Sequence, residues 1–119
     1  MAWIDKQLVL DIVGNDPVEA RRLLALFFDS AREQVSKLRA GLLAEDMEQA
    51  NTAAHQLAGA AGTCGIMLLS ERLRALEQLT QTDPPTDFQP LVAEIEDLLR
   101  QAEEEAALGF AEDSAGTPS

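Results

Sequence analysis

Leu23, Leu24, Phe27, Phe28, Ala31, Val35, Leu38 and Leu42 recur at steps of three and four, and nothing else in the sequence constrains the fold as tightly. At 3.6 residues per turn these side chains share one face, so the spacing predicts one long amphipathic helix ending near Leu43. Its start is also written: Asp16-Pro17-Val18-Glu19 offers an N-cap, a proline at the first position and a capping-box glutamate.

The pattern repeats along the chain. Asp5 to Val13 reads as a short helix with Leu8, Ile12 and Val9 on one side, closed by Gly14-Asn15. Asp46-Met47-Glu48-Gln49 opens a third helix that ends between Gly62 and Gly65. A fourth runs from about Met67 to Thr80 on Leu68, Leu69, Leu73, Leu76 and Leu79, and Asp83-Pro84-Pro85 stops it. Thr86-Asp87-Phe88-Gln89 caps a fifth, with Pro90 in its first turn and a stripe of Leu91, Val92, Ile95, Leu98, Leu99 and Ala102.

Alternating strand patterns and Asn-Gly or Asp-Gly hairpin turns are absent from the sequence. Aromatic residues make up 4% of the 119, with no tyrosine, against 46% apolar overall, so the core rests on Leu, Ala, Val and Ile. The expected fold is all-α: an antiparallel up-and-down four-helix bundle with an additional short N-terminal helix. Residues 1–106 form the expected bundle. Residues 107–119, small, polar and aperiodic, form the expected disordered tail.

A formal net charge of −12, from 21 acidic and 9 basic residues, disfavours nucleic acid and anionic lipid, both of which need clustered Lys and Arg. The lone Cys64 has no disulfide or thiolate-metal partner in the sequence. The longest purely apolar run, Leu23 to Phe28, is far too short to span a membrane. Asp5 stands where a signal peptide would be basic. A cytoplasmic location and a monomeric state are expected.

Chemistry concentrates at the single histidine. With His55 at zero on a helical wheel, Asn51, Thr52, Ala58, Gly59 and Gly62 fall within about 60° of it. Ala50, Ala53, Ala54, Leu57, Ala60, Ala61 and Cys64 take the far, packed side. A glycine inside a helix costs about 1 kcal/mol relative to alanine. Gly59 therefore suggests an imidazole left uncovered for another macromolecule, although a lone histidine on a polar face also suits a merely solvated residue, and Gly62 and Gly65 also suit a helix end.

The run His55-Gln56-Leu57-Ala58-Gly59-Ala60-Ala61-Gly62-Thr63-Cys64-Gly65, followed by Leu69, Leu73 and Leu76-Glu77, resembles the histidine phosphotransfer (HPt) domain. The resemblance extends over about residues 4 to 105. It implies a phosphoryl carrier without kinase activity or cofactor of its own, relaying between receiver domains of hybrid histidine kinases and response regulators, with Mg²⁺ supplied by the receiver. By position, His55 is the phosphorylated nucleophile, Glu77 orients its imidazole, and Gln56, Ala58, Gly59 and Gly62 provide clearance and environment. Lysine is common in the family at the place of Ala58, and a basic residue at that of Gln56. Both positions are uncharged here.

Other readings fit less well. A di-iron bundle needs two Glu-x-x-His pairs, whereas Thr52 precedes the only histidine by three. An acyl carrier needs Asp-Ser-Leu, and Asp29-Ser30-Ala31 lacks the leucine. A serine hydrolase triad has no separable signal around one histidine. Two relatives of the relay reading remain: a non-relaying adaptor or inhibitor docked on a receiver or kinase, and the phosphorylation domain of a chemotaxis-type kinase.

Overall fold

A computed structural model of the chain describes residues 3–82 and 88–115, with side chains through 81 and from 88 to 108. It contains α1 (Lys6–Ile12), α2 (Pro17–Leu43), α3 (Met47–Thr63), α4 (Met67–Thr82) and α5 (Gln89–Ala115). α2 packs on α3, α3 on α4, α4 on α5 and α5 back on α2, which closes an up-and-down four-helix ring, while α1 lies against α2. No strand occurs among the described residues.

Local chemistry sets the starts. Asp5 accepts from the Leu8 N–H at 3.2 Å, Asp16 from Val18 at 3.0 Å and Asp46 from Gln49 at 3.1 Å, each satisfying an amide that a helix start leaves unpaired. Phe88 accepts from the Val92 N–H at 3.0 Å to open α5, with Pro90 in the first turn. The proposed α4 stop at Asp83-Pro84-Pro85 and the Thr86-Asp87 cap lie outside the described residues.

The α2 stripe is core as the periodicity requires: Leu24, Phe27, Phe28, Ala31, Val35 and Leu38 are buried. They meet Leu57, Leu69, Leu73, Leu76, Val92, Ile95 and Ala102 in one cluster. Leu24 and Phe28 belong to this interior and are not offered to a partner.

Two helix faces are rotated from expectation. On α1 Val9 is the fully buried residue and Ile12 is exposed, because this short helix leans on α2 along one line only. On α4 Leu79 lies at the surface, beyond the seam filled by Leu69, Leu73 and Leu76.

α5 stays helical through 107–115, where the tail was expected, yet its packing ends near that boundary: Ala106 is buried and Leu108 exposed. Exposed pairs Arg39–Glu96 and Arg32–Glu103 link α2 to α5, and Arg72–Glu94 links α4 to α5. Solvated pairs of this kind contribute about 0–1 kcal/mol each.

Two glycines are fixed by sterics. A Cβ on Gly41 would stand 2.9 Å from the Ala50 backbone nitrogen, so α2 and α3 touch backbone to backbone there. Gly65 turns the chain between α3 and α4 at φ +77°, and its carbonyl accepts from the Asp5 N–H at 2.8 Å. That bond fastens the N-terminal segment across one end of the bundle.

Candidate phosphotransfer site

The outer face of α3 consists of Thr52, His55, Gln56, Gly59, Ala60 and Thr63, all exposed. Ala50, Ala53, Ala54, Leu57, Ala58, Ala61 and Cys64 are buried. His55 therefore sits at the edge of the open face, beside α4, and not at its centre. The wheel misplaced two alanines: Ala58 is fully buried and Ala60 is exposed. An alanine-rich helix does not announce where its two neighbours will press, and α4 packs against the side on which the histidine stands.

Across that seam Glu77 reaches the ring. Its Oε2 lies 2.9 Å from His55 Nδ1, with the Glu77 side chain 17% exposed and that of His55 66% exposed. A carboxylate only accepts, so the hydrogen on the bond is Nδ1–H and the Nε2 lone pair faces outward. The two side chains meet because helical Cβ atoms lean toward the N-terminus of their own helix. In antiparallel helices the two lean toward one another.

Four further bonds bracket this pair. The Asn51 Nδ2 donates to Glu77 O at 3.1 Å and to Thr80 Oγ1 at 3.0 Å, and the Thr80 hydroxyl donates to Glu77 O at 2.7 Å. The buried Ser70 hydroxyl donates to Ala58 O at 2.9 Å. Neither Asn51 nor Thr80 carried a role in the sequence reading. The available signal was Asn51 on the histidine side of α3 and a threonine one turn past Glu77.

Gly59 has nothing within 4 Å of where a Cβ would stand. No packing inside the chain requires this glycine, and its backbone lies open one turn from the imidazole. Gly62 differs: its Cβ position is 3.5 Å from Ser70 Oγ, an ordinary contact within the α3–α4 seam. Gln56 is exposed beside His55. The Cys64 thiol is buried beneath the end of α3, and burial pushes its pKa up. Among the described residues no group of three His, Cys, Asp or Glu side chains is placed to hold a metal, and no helix is long and apolar enough to cross a membrane.

An exposed imidazole whose inner nitrogen is held by a largely buried carboxylate, on a helix bare of side chains one turn further on, is a site open to a partner. The family model "Hpt domain" matches residues 22–105, most of the described bundle. The chain belongs to the Hpt family.

Solved Hpt structures share the architecture. Histidine-containing phosphotransfer protein B (HptB) from Pseudomonas aeruginosa PAO1 superposes with a TM-score of 0.82 at 19% identity, over 92% of this chain and 95% of that one. The HPT domain of the Hpt sensor hybrid histidine kinase from Shewanella gives 0.73 at 24% identity, over 94% and 97%. At such identities the likeness speaks for the fold. Among curated proteins no sequence matches. As an Hpt domain, the chain is a histidine phosphotransfer protein of two-component phosphorelays, a carrier class and not a kinase class.

Proposed function

We propose that this Hpt domain relays a phosphoryl group between receiver domains through Nε2 of His55. The observation that carries the reading is the His55–Glu77 bond at 2.9 Å, which occupies Nδ1 and leaves Nε2 outward on an exposed ring. In the forward step the P–O bond to a receiver aspartate breaks and a P–N bond forms to Nε2. The carboxylate of the aspartate leaves as the anion. As the ring gives up its lone pair it becomes cationic, and the Glu77 carboxylate on Nδ1–H balances that charge. The return step onto a second receiver reverses these movements.

Phosphoryl transfer runs through a loose transition state, so a carrier contributes position while charge neutralisation comes from metal and cations. α3 contains no Lys or Arg. Neutralisation of the phosphoryl oxygens therefore falls to the receiver, with its Mg²⁺. Open backbone at Gly59 allows that active site to close over the ring. Gln56, exposed on the same face, is placed to offer its amide to a phosphoryl oxygen.

The test is transfer of label from a phosphorylated receiver domain to the full chain, giving an acid-labile, base-stable adduct. His55→Ala should remove all label with helicity unchanged. Label on that variant would overturn the assignment. A non-relaying adaptor would bind the receiver and take no label.

A further inference from the structure

The Asn51–Glu77 and Ser70–Ala58 bonds are placed in strict register: from Asn51 to Ala58 on α3, and from Glu77 back to Ser70 on α4, is the same seven residues. In this register Asn51 and Glu77 stand at one level of the helix pair. His55, one turn further along α3, is met by the Glu77 side chain leaning back toward the start of α4. Slippage of α4 by a single residue, about 1.5 Å along and 100° around, would carry the carboxylate off Nδ1.

Apolar packing does not prevent such slippage by itself. The buried apolar side chains of the two helices include Ala54, Leu57, Ala58 and Ala61 on α3 and Leu69, Leu73 and Leu76 on α4, and small or flexible apolar side chains tolerate repacking. Directional polar bonds are less forgiving, because a displaced donor is left buried and unpaired. Thr80 is 6% exposed, and its hydroxyl both receives from Asn51 and donates to the Glu77 carbonyl. The two side chains thus fasten the backbone of the very residue whose carboxylate orients the imidazole.

We infer that Asn51 and Thr80 are positioning residues for phosphotransfer: together they clamp Glu77 so that its carboxylate fixes the Nδ1–H tautomer of His55. The inference rests on His55 as the acceptor. Neither residue touches the reacting nitrogen, and their effect passes through Glu77.

The experiment uses the full chain with Asn51→Ala, Thr80→Val and Thr80→Ser, reading imidazole ¹⁵N shifts for the tautomer and receiver-driven phosphorylation rates at saturating and limiting receiver. Asn51→Ala and Thr80→Val should shift the ring toward a mixture of tautomers. They should also lower the saturated rate about three- to tenfold, as loss of one hydrogen bond implies, with KM for the receiver unchanged. Thr80→Ser should restore both. A folded Thr80→Val chain with the wild-type tautomer and rate would overturn the inference; if Asn51→Ala fails to fold, the threonine pair decides. Should the wild-type chain take no label from a receiver, the relay reading fails, and the tautomer measurement still judges the clamp.

Discussion

Glu77 is largely buried while the His55 ring it holds is two-thirds exposed, so the carboxylate acts on the nucleophile from beneath and is not itself offered to a partner. Replacing Glu77 should change chemistry more than docking. Glu77→Ala should lower the saturated transfer rate about tenfold, equivalent to about 1.4 kcal/mol. Glu77→Gln, which keeps an acceptor on Nδ1–H but loses the charge, should fall between it and wild type. Rapid-quench kinetics with a phosphorylated receiver measure both, and a rise in KM without loss of rate would contradict this role.

Gly59 and Gly41 look alike in sequence and behave oppositely in the fold. With open space around its Cβ position, Gly59→Ala should gain up to about 1 kcal/mol of stability from helix propensity. Gly59→Glu should leave the fold intact and slow transfer by bulk and charge at the interface. Thermal unfolding and transfer rates of the two variants separate these effects.

At Gly41 an added methyl meets Ala50 N at 2.9 Å and Asp46 O at 3.1 Å, both backbone atoms that cannot move aside without parting α2 from α3. Gly41→Ala should destabilise by about 1–3 kcal/mol despite its better helix propensity. The urea midpoint is the check.

The helices were legible because their stripes and caps are local: Asp16 with Pro17, Asp46 with Gln49, and the Leu23 to Leu42 series each act within a few residues. His55, Gly59 and Glu77 were legible through the resemblance, and the structure brings His55 and Glu77 into contact. Ala58, Ala60 and the Asn51–Thr80 contact were not legible. Their placement depends on where α4 presses on α3, a contact between segments some 26 to 29 residues apart that no local periodicity encodes. Gly41 escaped notice for the same reason, since its neighbour Ala50 comes from the next helix.

Burial raises the Cys64 pKa above its ordinary 9.0, favouring the neutral thiol in the fold. The corresponding stability is fully present below the unfolded value and is lost as pH climbs through the folded one. Stability should therefore decline from about pH 9 upward, and Cys64→Ala should flatten that part of the curve. Urea titrations between about pH 8 and 10 test this. An identical decline in the variant would assign it to other groups.

The most direct test of the account is to locate the phosphoryl group on the ring. Two-dimensional ¹H–¹⁵N spectra of the chain phosphorylated by a receiver domain distinguish the two imidazole nitrogens. Phosphorus bonded to Nε2 of His55, with Nδ1 still carrying its hydrogen toward Glu77, is the predicted result; phosphorylation at Nδ1, or on any other residue, would contradict it.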